Sequence, residues 1–432
     1  MGILKKYFHN KETLSSKDVT YAKTAFIIEG SCGATISNTV GGAYLVALFS
    51  FLGATETQSN FIISLPSFTM LFGLFAPILT KKAKYYKPFN YICKLLAYSS
   101  AGLIFLLPLI TGVNFISVVI GAVLFFVFQA IINIQTPTYN VWYMNAISAD
   151  GKNPSFYMGI KAMLSFAAMI ASMLFIAQLF KSYAGERLIY FFIITGSMVL
   201  LLTAIIAALH FPLKEAPLVK KEENSSSLRD LLDMFKDKTF APYLKGSTIF
   251  LSSVSLIGAL VNIFTLQRLG IGLDVISYMT IIDFVLRGAF SPVFGKLMMK
   301  ISAKKLFAIS IIFVGISHGF FAFMTADNYI VLKLISSLFM GIGYAGHGVS
   351  SFKYMFEVMP PEKSTSYIAG STALAGITGY LASLITSFVI AVANRASLTI
   401  LGITFSEMQI LFIVSMLFSF FSVFFLYPRK KQ

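Results

Sequence analysis

The chain has 432 residues, of which 57% are hydrophobic and only 12% are charged, and its mean hydropathy is +0.79. A soluble domain of this length could not keep so much apolar surface away from water. The formal net charge of +16 is spread over short segments between apolar runs, a placement that orients membrane helices and does not suggest nucleic-acid binding. Composition and charge therefore predict an all-α membrane protein.

Twelve apolar runs follow a polar tail at residues 1–21, and each is long enough to cross about 30 Å of hydrocarbon as a helix. Six runs lie in residues 22–211 and six in residues 242–427, before a short tail at residues 428–432. The predicted spans are Ala22–Leu52, Ser59–Leu79, Pro88–Ile110, Phe115–Tyr143, Phe156–Phe180, Leu188–Phe211, Pro242–Leu269, Val275–Met299, Leu306–Met324, Ile330–Tyr354, Tyr367–Ala393 and Phe405–Tyr427.

The only long charged segment, residues 212–241, separates the two sets of spans. Ser227 to Asp230 has the capping-box pattern that begins a helix, and apolar residues then recur at helical spacing. We interpret this linker as cytoplasmic, with a short amphipathic helix lying on the membrane surface; a disordered linker is the alternative. The apolar stripe consists of Leu228, Leu231, Leu232 and Phe235.

The distribution of basic residues predicts that both termini are cytoplasmic, because lysine and arginine collect in the loops that would then face the cytoplasm. We therefore expect a multi-pass protein of the inner (cytoplasmic) membrane. The inside set, besides the central linker, is Lys81, Lys82, Lys84, Lys87, Lys152, Lys300, Lys304, Lys305, Lys363, Arg429, Lys430 and Lys431; the outside set is Lys181, Arg187, Arg268 and Arg395.

Short sequence matches between the two sets of spans indicate a duplicated architecture. They fall where the fourth span of each set meets the fifth, at a constant offset of 211 residues, and on the second span of each set. Duplicated halves are typical of several transporter folds. The matches are Tyr143-Met144, Ser155-Phe156 and Gly159 with Tyr354-Met355, Ser366-Tyr367 and Gly370, and Phe75-Ala76-Pro77 with Phe290-Ser291-Pro292.

The loop after the eighth span carries a glycine, a leucine and then basic residues: Gly295, Leu297, Lys300, Lys304 and Lys305. This order resembles the loop signature of the major facilitator superfamily, which follows the second span of each half. The twelve spans, the central linker and the repeat extend the resemblance over nearly the whole chain. It implies a fold of two pseudo-symmetric six-helix halves that work by alternating access, with the first, fourth, seventh and tenth spans lining a central cavity.

Several sequence features of the superfamily are missing. The first-half counterpart of the loop, residues 76–84, is weaker, and Thr80 and Met299 stand where the signature has an aspartate. The fourth span has no arginine and the fifth has no Gly-Pro pair, two features of the superfamily's drug exporters. The resemblance therefore supports the fold more than it supports a typical drug antiporter.

Ionisable residues within the apolar runs are candidates for coupling, since a charge inside hydrocarbon usually faces a cavity or a partner. Glu29 lies in the first span, and Asp283 and Arg287 are one helical turn apart in the eighth. For Glu29 the alternative is a structural acid paired with Lys161; for the other two it is an internal salt bridge. Lys161 and Lys333 are expected to reach toward the membrane interface.

Polar residues recur at helical spacing on the four spans that the resemblance assigns to the cavity, and we predict that they contact substrate. Lipid cannot satisfy such groups, so they must face protein or water; hydrogen bonding between helices is the alternative. The substrate-binding candidates are Ser31, Thr35, Asn38, Gln129, Asn133, Asn140, Trp142, Ser255, Asn262, Tyr344 and His347.

These features favour a secondary transporter of a small organic solute, with proton-coupled efflux of an amphiphilic compound as the leading hypothesis. Import of a sugar or peptide fragment, uniport and sodium coupling stay open. An ATP-driven pump is disfavoured by the absence of a phosphate-binding loop, and a membrane-embedded transferase by the dispersed histidines. We expect no cofactor, no metal and no enzymatic activity, and a monomer whose partners are the solute, protons and the lipid bilayer.

Overall fold

The computed structural model describes residues 13–41, 43–54, 58, 62, 65–66, 68–183, 185–217, 227–258, 260–393, 397–400 and 403–427. Before the linker, the described residues form a series of helices. These are α1 (Ser16–Val40), α2 (Ala43–Phe51), a 3-10 helix (Met70–Phe75), α3 (Ala76–Leu79), α4 (Lys87–Ile110), α5 (Phe115–Ser148), α6 (Ser155–Ser182), a 3-10 turn (Gly185–Arg187) and α7 (Leu188–His210).

The rest of the chain repeats this helical pattern and adds one short hairpin. The elements are α8 (Ser227–Lys236), α9 (Ala241–Gly258), α10 (Leu260–Ile263), a π-helical turn (Phe264–Arg268), α11 (Leu273–Leu297), α12 (Ala303–Ala322), α13 (Tyr329–Val358), a 3-10 turn (Pro361–Lys363), α14 (Ser364–Ala393), β1 (Ser397–Ile400), β2 (Ile403–Ser406) and α15 (Glu407–Leu426). The two strands pair antiparallel.

Eight helices in the described ranges are long and apolar enough to cross a membrane, or nine if the pair α1 and α2, bent by 43°, forms one span. The predicted first span is therefore broken, close to Gly41 at the end of α1. The predicted seventh span is interrupted too, since a π-helical turn follows α10. The hairpin before α15 was not predicted. Within the linker, α8 forms at the predicted place.

The helices form two compact units. Unit 1 contains residues 1–154, 164–230 and 361–373, and unit 2 contains residues 155–163, 231–360 and 374–432. In unit 1, α4 packs along both α5 and α7, around a core that includes Phe49, Phe105 and Phe192. In unit 2, α13 packs along α11 and α12, and α15 packs along α9 and α12.

Glycines allow helices of unit 2 to approach closely. A Cβ on Gly159 would lie 2.5 Å from the carbonyl oxygen of Ser291, and one on Gly295 would lie 2.8 Å from that of Ser155. The start of α6 therefore meets α11 backbone to backbone, which explains why residues 155–163 belong to unit 2. Similarly, Gly343 of α13 faces α12, where a Cβ would lie 2.6 Å from a methyl carbon of Val314.

The beginning of the linker is fixed to the start of α4. Glu215 is only 3% exposed, and its two carboxylate oxygens accept hydrogen bonds from the backbone N–H groups of Tyr86 (2.9 Å) and Lys87 (2.8 Å). The Lys87 ammonium donates to the carbonyl oxygens of Phe211 (2.8 Å) and Leu213 (2.5 Å). A carboxylate that caps a helix N-terminus also interacts favourably with the helix dipole.

Burial raises the pKa of Glu215 from its ordinary value of 4.5 to about 7, although the two backbone N–H donors and the charge of Lys87 act in the opposite direction. Because the native state holds this proton more tightly than the unfolded chain, the contribution of Glu215 to stability is most favourable below about pH 4.5 and decreases as the pH rises to about 7.

We expect Gly343→Ala to destabilise unit 2 by about 1–3 kcal/mol, because the added methyl group collides with Val314 and with the backbone of α12. Thermal unfolding of the purified protein in detergent measures the effect. Gly348 lies on the same helix with open space around it, so Gly348→Ala is the matched control and should leave the midpoint unchanged or slightly raised. Equal midpoints for both variants would contradict the close contact between α12 and α13.

We expect Glu215→Gln to remove part of the pH dependence of stability. In the wild type, the Glu215 contribution declines between about pH 5 and pH 7, by up to about 3 kcal/mol. The variant should therefore show a flatter profile of unfolding midpoint against pH from 5 to 8. Glu357→Gln, at a side chain that is 45% exposed, serves as the control and should keep the wild-type slope. An unchanged slope in Glu215→Gln would show that the carboxylate does not titrate in this range.

Candidate functional site

Glu29 is the centre of a buried polar cluster in unit 1. It lies on α1 among small residues that permit close helix approach, and it is 4% exposed. Its Oε1 forms an ion pair with the ammonium group of Lys94 on α4, and its Oε2 accepts a hydrogen bond of 2.5 Å from the hydroxyl of Tyr139 on α5. Lys94 of the third predicted span therefore supplies a counter-charge that the sequence analysis had not named, and the pairing with Lys161 stays a prediction.

Aromatic groups surround this ion pair. The Lys94 ammonium lies 3.8 Å from the centre of the Tyr139 ring, a cation–π contact that strengthens where water is excluded. Tyr98, one helical turn after Lys94, brings its hydroxyl against Gly33 of α1, where a Cβ would lie only 3.0 Å away. Three helices, α1, α4 and α5, thus contribute to one charged cluster.

The charge state of the cluster is tied to its geometry. Removing one partner of a buried ion pair costs about 3–5 kcal/mol, because the remaining charge is left without compensation. A proton on Glu29 would have the same electrostatic effect on Lys94 as removing the carboxylate charge. Protonation of this one group therefore changes the energy of the contacts between α1, α4 and α5.

Trp142 lies beside the cluster on α5 and is buried. Its ring centre is 5.2 Å from that of Phe26 and 5.3 Å from that of His210, both edge to face. The indole N–H is buried without a hydrogen-bond partner among the described residues. The structure therefore places Trp142 in the aromatic wall of the Glu29 cluster.

Apart from Trp142, the predicted substrate-binding residues on α1 and α5 are largely half-buried. Asn133 donates hydrogen bonds to the hydroxyl of Thr69 (3.1 Å) and to a backbone carbonyl one turn away (2.9 Å), and Thr35 is buried. The other four side chains are partly exposed and form no hydrogen bond to any residue that the structure describes, so they are available to water or solute. They are Ser31, Asn38, Gln129 and Asn140.

In unit 2 the charged residues of α11 are arranged differently from the prediction. Asp283 does not bridge to Arg287; instead it pairs with Lys333 of α13, at 2.9 Å. Lys333 is 7% exposed, so the expectation that it reaches the membrane interface was also wrong. A buried ammonium on the adjacent helix provides a stronger partner for Asp283 than a guanidinium whose face is held elsewhere.

Arg287 stacks on an aromatic ring. Its guanidinium carbon lies 4.3 Å from the centre of the Tyr344 ring and 5.4 Å from that of Phe284. His347, one turn after Tyr344 on α13, packs against Phe250 of α9, with ring centres 4.9 Å apart. The structure thus brings the predicted candidates Arg287, Tyr344 and His347 into one neighbourhood.

The two candidates on the seventh predicted span are less informative. Ser255 of α9 is half-buried, and its carbonyl oxygen accepts a weak hydrogen bond, 3.4 Å long, from the hydroxyl of Ser383. Asn262 belongs to α10, but its side chain lies outside the described residues. Ser255 has no contact with Arg287 in the described part of the chain.

Sequence reasoning missed Lys94, Tyr98 and Tyr139. Lys94 stands within an apolar run, so the rule that selected Glu29, an ionisable group inside hydrocarbon, could have selected it too. The two tyrosines gave no comparable signal, because tyrosine is common in membrane helices and the pairing of α4 with α5 cannot be derived from spacing alone.

Comparison with known proteins identifies the fold and the family. The chain is similar to the solved structure of a bacterial homologue of the iron transporter ferroportin in an outward-facing state, at 13% identity and a TM-score of 0.70, over 95% of this chain and 98% of that chain. The E. coli fucose:proton symporter FucP matches at 13% identity and a TM-score of 0.68, over 94% and 98%. The proton:xylose symporter XylE matches at 15% and 0.60, over 95% and 94%.

At these identities the three structures show a shared fold. No curated protein matches the sequence. The family model described as Major Facilitator Superfamily, however, matches residues 246–432. The matched residues form the C-terminal part of the chain, and the chain as a whole has the fold of FucP, a solved transporter of that superfamily.

The family match and the shared fold confirm the resemblance that the loop signature and the repeat indicated, and they indicate a multi-pass membrane transporter and not an enzyme. The fold of the superfamily is consistent with the twelve predicted spans, of which eight or nine are recognisable as membrane helices in the described part of the transporter.

We expect the Glu29–Lys94 pair to show strong energetic coupling in a double-mutant cycle. Glu29→Gln and Lys94→Met should each destabilise the transporter by about 3–5 kcal/mol, because each leaves a buried charge unpaired. The double variant should be more stable than either single variant, since no charge is then left. Thermal unfolding in detergent at constant pH gives the difference in stability between the wild type and each of the three variants.

A cycle on the more exposed pair Lys353 and Glu357, whose side chains are 14% and 45% exposed and whose Nζ and Oε1 are 3.7 Å apart, provides the control. Its coupling should stay below about 1 kcal/mol. If the Glu29–Lys94 coupling were as small, the cluster could not link the charge of Glu29 to the packing of the helices.

Proposed function

We propose that this transporter is a secondary active transporter that moves a small, amphiphilic organic solute across the cytoplasmic membrane by alternating access, as proton-coupled efflux. The observation that carries the proposal is the buried cluster of Glu29, Lys94 and Tyr139, in which one carboxylate is bonded to groups on two other helices. We assign Glu29 to the coupling path.

The cluster meets the physical requirement for coupling. A driving ion can shift a conformational equilibrium only if it binds the two conformations with different affinity. Protonation of Glu29 neutralises the partner of Lys94, so any rearrangement of α1 against α4 changes the affinity of this site for a proton. Carboxyl groups inside membrane proteins commonly serve in proton relays.

The composition of the chain supports an amphiphilic solute. Its 44 phenylalanines and 18 methionines supply apolar contact surface, and methionine adapts readily to irregular ligands. The half-buried polar side chains on α1 and α5 can provide a small number of hydrogen bonds. An apolar pocket with few directed polar groups is the usual form of a small-molecule site, and efflux is the direction that suits a membrane-partitioning compound.

Import is the second candidate. Two proteins of the same fold are named for proton-coupled symport of fucose and of xylose. The amides of Asn38, Gln129 and Asn140, which form no hydrogen bond within the described chain, could bind a hydroxylated solute. A sugar or peptide-fragment importer, or a uniporter, therefore follows if the solute proves to be polar.

The membrane arrangement that we propose follows the distribution of basic residues. The transporter is a monomer in the inner (cytoplasmic) membrane, with both termini and the linker, residues 212–241, in the cytoplasm and six spans in each half. Leu232 and Phe235 of α8 are both exposed, which supports the contact of this helix with the membrane surface.

Transport by purified protein in proteoliposomes tests the proposal. With a pH-sensitive dye inside and an imposed proton gradient, amphiphilic aromatic compounds, sugars and dipeptides are added one class at a time. We expect one class to cause proton flux in the wild type and none in Glu29→Gln. Exchange of the solute without a gradient should persist in Glu29→Gln, because glutamine resembles the protonated acid.

Glu357→Gln, at an exposed position far along α13, should behave like the wild type in both assays. Solute movement that ignores the gradient, or proton flux that survives in Glu29→Gln, would contradict the coupling role of Glu29. Proton flux driven only by sugars or dipeptides would favour the importer.

A further inference from the structure

The region around Arg287 carries one positive charge more than its described carboxylates balance. Asp283 lies one turn earlier on α11 and forms its ion pair with Lys333. The guanidinium of Arg287 forms no ion pair or hydrogen bond with any residue in the described ranges, and its Nε is buried without a partner. Two cations thus stand beside one carboxylate.

An unbalanced cation at this depth is unfavourable in a membrane protein. At 1.5 Å per residue, Arg287 lies about 20 Å from the start of α11 and about 15 Å from its end. This depth is far from the headgroups of a bilayer whose hydrocarbon core is about 30 Å thick. A solute that enters the protein can supply the counter-ion.

The contacts of Arg287 leave its binding edge open. One face of the guanidinium stacks on Tyr344, and stacking uses the face of the planar group but not its N–H donors. The residue is partly exposed, and Nε is the guanidinium nitrogen that is fully buried without a partner in the described ranges. A planar fork of N–H donors binds a carboxylate or a phosphate with two parallel hydrogen bonds.

A second unpartnered nitrogen lies on the other side of Tyr344. His347 Nε2 is buried and forms no hydrogen bond with the described chain, and the rings of Tyr344 and His347 are 6.5 Å apart. Phe250 and Phe307 flank the imidazole. The site thus combines a fixed cation, a further polar nitrogen and aromatic walls.

We propose that Arg287, positioned by Tyr344, binds an anionic group of the transported solute, a carboxylate or a phosphate, so that the substrate class is a small organic anion with an apolar or aromatic body. This inference rests on the proposed function in taking the ligand to be the transported solute. The amphiphilic solute is then an anion, and Arg287 is the residue that recognises its charge.

Binding of matched small probes to the full-length protein in neutral detergent tests the proposal. The probes are benzoate and phenyl phosphate, the neutral isostere benzamide and the cation benzylamine, and the readout is the shift of the thermal unfolding midpoint on titration. We expect at least one of the two anions to stabilise the wild type, and neither benzamide nor benzylamine to do so. Failure of both anions, or equal stabilisation by benzamide, would overturn the proposal.

Variants at Arg287 assign the effect to this residue. In Arg287→Gln the apparent affinity for the anion should fall about ten-fold or more, while Arg287→Lys should keep part of it, since the charge remains but the forked geometry is lost. Lys305→Gln removes an exposed cation of the same unit and should bind like the wild type. An anion affinity unchanged in Arg287→Gln would overturn the proposal.

Addition of phosphatidylglycerol to the same detergent sample separates a solute from a lipid headgroup. We expect its stabilising effect, if present, to be the same in the wild type and in Arg287→Gln. A lipid effect that depends on Arg287 as strongly as the benzoate effect would assign the site to lipid instead. Because no proton gradient is used, failure of proton coupling in the transport assay leaves this result unaffected.

Discussion

The absence of water from the bilayer interior is the constraint on which this structure depends. Each ionisable group placed there needs a partner within the protein, and the partners come from different helices. Glu29 joins α1 to α4 and α5, while Asp283 joins α11 to α13. These ion pairs are therefore also polar contacts between helices that otherwise pack through apolar and small side chains.

The two charged sites differ in their balance of charge, and this difference suggests different functions. In the cluster around Glu29, the described ion pair sets one carboxylate against one ammonium, and a single proton on the carboxylate would change that balance. The neighbourhood of Arg287 has an excess cation with a permanent charge, because a guanidinium does not lose its proton in proteins. A titratable site suits coupling to protons, and a permanently charged site suits recognition of an anion.

Much of the fold was predictable from the sequence, because the length and polarity of a membrane helix follow directly from the thickness of hydrocarbon. The bounds of α4 and α7 agree with the predicted spans within one residue, and α8 forms at its capping signal. Interruptions were not predictable. The bend between α1 and α2 and the π-helical turn after α10 both occur inside spans that the sequence predicted as continuous.

For the candidate site, the sequence identified individual charged residues but not their partners. Glu29, Asp283 and Arg287 were recognisable as charges within apolar runs, whereas their partners depend on which helices pack together. Spacing on one helix favoured a bridge from Asp283 to Arg287; packing of α11 against α13 brought Lys333 closer. Lys94 shows the same limit, because its role follows from the contact between α1 and α4 and not from its own sequence neighbourhood.

The position of Trp142 has an experimental consequence. The chain contains a single tryptophan, and that indole lies edge to face with Phe26 and His210 and near Tyr139, which donates a hydrogen bond to Glu29. Indole emission depends on local polarity and on nearby quenching groups. The unlabelled protein therefore contains an intrinsic fluorophore located at the buried Glu29 cluster, and its emission can follow this cluster in real time.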